Sequence, residues 1–360
     1  MLVEFRVENF KNFKCELTYR LDQVKNFEFS NECIKHDVIK TALVYGINGS
    51  GKSNLGLALF DISLNLTDKR KNFDDYIYYK NLITDFNPKF YYKFKFESSY
   101  LEYIYEKDTP QHMVKEELII NGNKVAFYDH ILNKGETNLE GTETLNTDLN
   151  KKNISFIKYI SNNSVLINNP INSVFTKFID FVNKMLIFNS LENNVYSNNF
   201  LSTGIIDSGK LKEFEFYLKK FGIEFSLVTK IVDCKKEIFC NYGKKQVNFF
   251  NIISSGTRSL TLFYYWLINF DKVSLVFIDD FDAFYDYKLA KDIVQEIVKF
   301  SAQAIITTHN SSLIDNELLR PDCYFNLAMG KIESFSNLTK KELRKAHNVE
   351  KMYRAGTFDH

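Results

Sequence analysis

The chain has 360 residues, 45% of them hydrophobic, and 46 Lys and Arg against 45 Asp and Glu leave a formal net charge of +1. That length and apolar content support a sizeable core in one large α/β domain or in two domains, and they exclude a disordered chain. The charge balance excludes a chain-wide basic field for nucleic acid, though not a local patch on one face.

Five cysteines with no C-x-x-C pair argue against both a zinc ribbon and a disulfide framework, so reduced thiols are expected. The longest apolar run, at 260–267, is too short to cross a bilayer, and the opening MLVEFRVENF reads as a strand and not as a leader. A cytoplasmic protein with no membrane partner is expected.

Residues 2–10 (LVEFRVENF) alternate apolar and polar, and 11–21 alternate again after a break at Lys11-Asn12, which predicts an antiparallel pair. A buried strand is predicted at 41–45 (TALVY) and a helix over 54–64 (NLGLALFDISL). Between them GINGSGKS, residues 46–53, fits G-x-x-x-x-G-K-[ST] at every fixed position. Strand, loop and helix in this order are the context a phosphate-binding loop requires.

The residue types follow from that chemistry. A backbone that wraps phosphates with its N–H groups tolerates no Cβ at its tightest points, hence Gly46, Gly49 and Gly51. Lys52 is placed to reach the β- and γ-phosphates of ATP and Ser53 to offer its hydroxyl to Mg²⁺, with the helix N-terminus adding partial positive charge.

Beyond a charged stretch at 68–75, strands are predicted at 90–97 (FYYKFKFE), 100–106 (YLEYIYE) and 117–121 (ELIIN). The pair Asn121-Gly122 turns the chain into a further strand at 124–128, completing an antiparallel β-lobe. The polar residues 130–153 read as an exposed loop. Helices are predicted over 174–188 (VFTKFIDFVNKMLIF) and 210–221 (KLKEFEFYLKKF), joined by a Ser- and Asn-rich connection, and neither sustains heptads.

From residue 224 short strands return, followed by Ser254-Ser255-Gly256-Thr257-Arg258 ahead of an apolar helix at 259–270. Serines beside a glycine at a helix N-terminus serve either as a cap or as an anion site. Residues 275–280 (LVFIDD) then read as a buried parallel strand delivering two acids at its C-terminal end. Asp279 there would hold Mg²⁺ through water, and Asp280 would polarise the attacking water. A helix at 288–300 precedes a buried strand at 304–308 (AIITT) that ends in His309, within reach of a γ-phosphate.

These motifs in this order resemble an α/β ABC-type ATPase head of the Rad50, RecF and SMC branch. The loop reads G-x-N-G-S-G-K-S-N and the opening reads V-E-N-F-K-N-F, as in that branch. Within it the chain is similar to the overcoming-lysogenisation-defect, RloC and Septu or PARIS-like ATPases of anti-phage defence. The resemblance covers residues 1–130 and 225–360 and implies a P-loop parallel or mixed sheet, with an N-terminal ATPase lobe (1–130) that carries the P-loop and the antiparallel β-lobe, and a C-terminal ATPase lobe (225–360). The residues between them, 131–224, read as a mostly helical insertion with a flexible polar loop.

It also implies ATP contacts from Lys11, Asn12, Asn48, Ser50 and Asn54, with Ser255 and Gly256 in the signature positions and His309 as the switch histidine. Two heads would dimerise head to tail, each signature serine closing on ATP held by the other head. Asp280 stands where the family carries glutamate, which predicts slow hydrolysis. No glutamine loop is assigned, and the tail 343–358 resembles the ending of these defence ATPases. About fifty residues follow His309, too few for an appended TOPRIM nuclease, so a separate nuclease or toxin is expected as effector partner. The alternatives are a RecF- or Rad50-like DNA-repair ATPase and a nucleotide-dependent scaffold that does not hydrolyse.

Overall fold

The computed structural model describes residues 1–69, 76–149, 153–189 and 198–359. It is a mixed α/β structure carrying the expected mixed sheet and antiparallel lobe. The mixed sheet has six strands in the order Met185–Asn189, Leu275–Asp279, Gln303–Thr308, Thr41–Tyr45, Tyr324–Ala328 and Lys331–Ser334. Neighbours are parallel except the final pair. Thr41–Tyr45 lies inside this sheet with all five residues buried, as expected of a parallel strand covered on both faces. Parallel pairing aims the C-terminal ends of the strands at 45, 279 and 308 to one edge, and the phosphate loop and the acids share that edge.

The helix Lys52–Leu66 follows the loop and packs closely on the sheet. A Cβ added at Gly56 would come within 2.5 Å of the Phe277 ring, so only glycine allows this approach.

The second sheet is antiparallel, with Lys134–Thr137, Asn123–Asp129, His112–Ile120, Ser99–Thr109, Lys89–Phe96, Leu2–Glu8 and Leu17–Arg20 in spatial order. Its strands alternate buried and half-buried residues, which explains the legible period of two. Asn121 and Gly122 take φ of 51° and 79°, the left-handed pair that a two-residue hairpin demands.

Two polar links fasten the sheets together. The buried Gln303 amide accepts from Leu2 N at 2.9 Å and donates to Leu2 O at 2.9 Å and Ile39 O at 3.0 Å. Lys107 of the β-lobe places its Nζ 2.9 Å from both carboxylate oxygens of Asp61, on the phosphate-loop helix. Tyr79 donates to the same carboxylate at 2.9 Å.

Several expectations are corrected. The helix predicted over 174–188 spans Pro170–Asn183, and MLIF belongs instead to the parallel strand Met185–Asn189 beside Leu275–Asp279. The run MLIF at this sheet edge is apolar without a period of two, so it read as a continuation of the helix. Residues 130–153 are not simply an exposed loop, since they contain the edge strand Lys134–Thr137 and bury Leu139 and Leu149. The strand predicted at 117–121 begins at His112, and the helix predicted from 259 begins at Ser255. The helices Phe156–Asn163 and Asn198–Asp207 had no counterpart among the predicted elements. Parts of the charged stretch (70–75), the polar loop (150–152) and the Ser- and Asn-rich connection (190–197) lie outside the described residues.

Candidate functional site

The phosphate loop is held open from both ends. Gly46 is buried, and a Cβ there would collide with Ser50 Oγ and approach Leu327 O to 2.6 Å. Gly51, at φ 104°, starts the helix, and a side chain there would run into the Asn12 amide. Asn12 clamps the loop from outside: its Nδ2 donates to Ser50 O at 3.3 Å, and its Oδ1 accepts from Asn54 Nδ2 at 2.7 Å. The neighbouring Lys11 donates its Nζ to Ile77 O at 3.2 Å.

Lys52 lies across the loop, its Nζ donating to Gly46 O at 2.8 Å and lying 3.3 Å from His309 Nδ1. Burial lowers the Lys52 pKa, against the pull of the carboxylates of Asp280, Asp279 and Asp282. His309 completes a row, with its Nε2 3.2 Å from Asp280 Oδ1.

Both acids at the end of Leu275–Asp279 are positioned by Thr307, a fully buried residue of the next strand that sequence reasoning missed. Thr307 Oγ1 donates to Asp279 Oδ1 at 2.6 Å and accepts from Asp280 N at 2.9 Å. Asp280 itself sits at φ 44°, a left-handed turn that swings its carboxylate toward His309. Burial raises the Asp279 pKa, while hydrogen bonds from Ser53 and Thr307 oppose the rise. Asp282 accepts from Thr308 Oγ1 at 2.7 Å, whereas Asp286 is committed to capping the helix Tyr287–Lys299 by accepting from Leu289 N at 2.9 Å.

Above this floor lies an open cleft of about 490 Å³ lined by Asn48, Asp280, Asp282, Ala283, His309 and Asn310. Asn48, Asp280 and His309 are thus brought together with Lys52. Ser255 and Gly256 are not part of that lining. Ser255 is exposed, and Gly256 lies against the backbone of Phe284, where an added Cβ would approach its carbonyl oxygen to 3.2 Å. Ser259 Oγ lies 3.0 Å from Tyr285 OH, which ties this helix to the turn following Asp280.

The residues fit a magnesium nucleotide. The loop is a cradle that side chains at Gly46 or Gly51 would fill, Ser50 Oγ is buried without a hydrogen-bond partner, and a lysine ammonium crosses the loop. Ser53 and Asp279, already joined by a hydrogen bond, supply a hydroxyl and a carboxylate, the oxygen donors Mg²⁺ takes. Among the described residues no cluster of three His, Cys, Asp or Glu could hold a metal by itself. No helix among them is long and apolar enough to cross a membrane.

The profile of the family described as "AAA domain, putative AbiEii toxin, Type IV TA system" matches residues 42–315. No curated protein matches the chain. Among solved structures the chain is similar to "Crystal structure of the SmcHead bound to the C-winged helix domain of ScpA", with 14% identity, a TM-score of 0.48, and 92% of this chain and 97% of that chain covered.

Proposed function

The chain belongs to this AAA-domain family of nucleotide-binding ATPases, and on that premise we propose that it binds Mg-ATP in the Lys52 loop and hydrolyses it slowly, with Asp280 as the group that takes the proton of the attacking water. The observation that carries the reading is the unbroken row from Lys52 Nζ through His309 to Asp280, 3.3 and 3.2 Å apart, at the edge where the phosphate loop opens.

Lys52 would give up its bond to Gly46 O for phosphate oxygens, and loop N–H groups would hold the remaining charge. Ser53 and Asp279 would hold Mg²⁺, which neutralises phosphate charge when bound. Asp280 orients and deprotonates water, and His309 keeps its carboxylate in place. The aspartate side chain is one methylene shorter than glutamate, which supports slow turnover.

Steady-state phosphate release by the purified chain with Mg-ATP tests the proposal, with Lys52→Ala as the control. Loss of the lysine removes a charge-assisted contact of about 2–3 kcal/mol, so ATP affinity falls roughly 30- to 150-fold. Tight binding of ATP without phosphate release would instead favour the non-hydrolysing scaffold.

The exposure of Ser255, outside the Lys52 cleft, supports a site completed head to tail by a second copy. The family description reads "putative AbiEii toxin, Type IV TA system", which supports a role in a toxin–antitoxin pair, and the likeness of the motifs to those of defence ATPases supports a regulatory role in anti-phage defence. In that role the ATP state would hold or release a toxic activity carried by a separate effector protein.

A further inference from the structure

Two of the five free cysteines lie side by side although 290 residues separate them. Cys323 Sγ donates to Cys33 Sγ across 3.2 Å, inside ordinary sulfur contact, and both residues are fully buried. Each closes a short 3-10 turn, Asn31–Cys33 and Pro321–Cys323.

A buried ion pair at the second turn, Arg320 with Asp322, also ties that turn to its surroundings. Arg320 donates to Asp322 at 3.1 and 2.6 Å and to Asn31 Oδ1 at 2.9 Å, while Asp322 accepts from Lys25 N at 2.8 Å. Both turns also abut the phosphate-loop strand. Cys33 O accepts from Lys40 N at 2.8 Å, and Tyr324, next after Cys323, pairs with Leu43.

We propose that Cys33 and Cys323 are a reversible intrachain disulfide site, closed by peroxide and opened by dithiols. A disulfide bond is about 2.05 Å long, so roughly 1.2 Å of the separation between the two sulfurs remains to be closed. Asn31 and Glu32 are exposed, so fraying of this three-residue turn admits the oxidant to Cys33. The two thiols are also unequal. The hydrogen bond from Cys323, helped by the Arg320 backbone and guanidinium, lowers the Cys33 pKa, and burial pushes that of Cys323 well up.

Cys33 sulfur, as thiolate, attacks one peroxide oxygen. The O–O bond breaks, hydroxide leaves and a sulfenic acid forms. Cys323 sulfur then attacks Cys33 sulfur, the S–O bond breaks, and the Cys323 proton leaves with the hydroxyl as water. The two sulfurs lose two electrons to the peroxide, so two thiols and one peroxide become one disulfide and two waters. A dithiol reverses the bond by exchange.

The inference stands apart from the ATPase reading, and its test needs no nucleotide. The full chain carrying Cys15→Ser and Cys234→Ser, which removes the two exposed thiols and leaves three, is treated with hydrogen peroxide and then titrated for thiols after denaturation. Titratable thiols should fall from three to one, dithiothreitol should restore them, and non-reducing peptide mapping should join the Cys33 and Cys323 peptides. Thermal denaturation should move upward on oxidation, because the cross-link restricts the unfolded chain. Cys33→Ala in the same background should lose both responses; should that variant fail to fold, the peptide map of its parent decides alone. Three thiols remaining after peroxide, or a bond to Cys240 in place of the pair, would overturn the proposal.

Discussion

Nε2 of His309 lies 3.2 Å from Oδ1 of Asp280 while its Nδ1 lies 3.3 Å from Lys52 Nζ. A lysine ammonium only donates and an ionised carboxylate only accepts, so the neutral ring meets both partners in one form, with the proton on Nε2. The imidazole is therefore held between the loop lysine and the Asp280 carboxylate by both of its ring nitrogens.

Thr307 should matter more than its chemistry suggests. Its hydroxyl serves Asp279 and Asp280 N together from a fully buried position. Thr307→Val keeps the shape and leaves both groups short of a partner, at a cost of about 1–3 kcal/mol in stability. The phosphate-release rate should fall and the Mg²⁺ concentration needed for half-maximal turnover should rise, with Thr307→Ser restoring both. If Thr307→Val melts lower yet keeps kcat and Mg²⁺ dependence unchanged, Thr307 does not position the acids.

The Asp61–Lys107 pair links the phosphate-loop helix to the antiparallel lobe, and both side chains are fully buried. Burial raises the Asp61 pKa and lowers that of Lys107, each against the attraction of its partner. Lys107→Met should cost about 3–5 kcal/mol, because it leaves a buried carboxylate uncompensated. Urea denaturation measures this, and adding Asp61→Leu should recover much of the loss. A Lys107→Met protein as stable as the parent would mean that the pair does not hold the two lobes together.

Ser255 is expected to act on the partner copy. Ser255→Arg should leave ATP binding intact and stop turnover. Mixing it with Lys52→Ala chains would create dimers with one intact composite site, so part of the turnover should return. A mixture that stays as inactive as either parent, while mixed dimers demonstrably form, would show that the site is not shared.

The phosphate-loop half of the site was legible in the sequence because its demands are local. The strand at Thr41–Tyr45, the glycines, Lys52 and Ser53 follow one another within residues 41–53. The acids and His309 were legible as the ends of apolar runs, since buried parallel strands must stop where polar groups begin. Thr307 was not, because a threonine in a buried strand reads as a β-former, and its role exists only through a neighbouring strand. Lys107 and Asp61 escaped because each is a charged residue at a buried position: Lys107 lies one residue past the predicted strand, on the buried face that it shares with Leu101, Tyr103 and Tyr105, and its partner comes from a distant helix. The strand Met185–Asn189 was lost because an apolar helix runs into it with only Lys184 between them.

The central claim is that Asp280 drives hydrolysis from the end of the His309 row, and phosphate release under single-turnover conditions tests it most directly. Asp280→Asn should bind Mg-ATP as the parent does and release phosphate at least about a hundredfold more slowly, since general-base catalysis contributes on that order or more. Asp280→Glu extends the carboxylate by roughly 1.3 Å toward the water and should release phosphate faster, because a misplacement of about 1 Å can cost a hundredfold. Phosphate release by Asp280→Asn at the parent's rate would contradict the account.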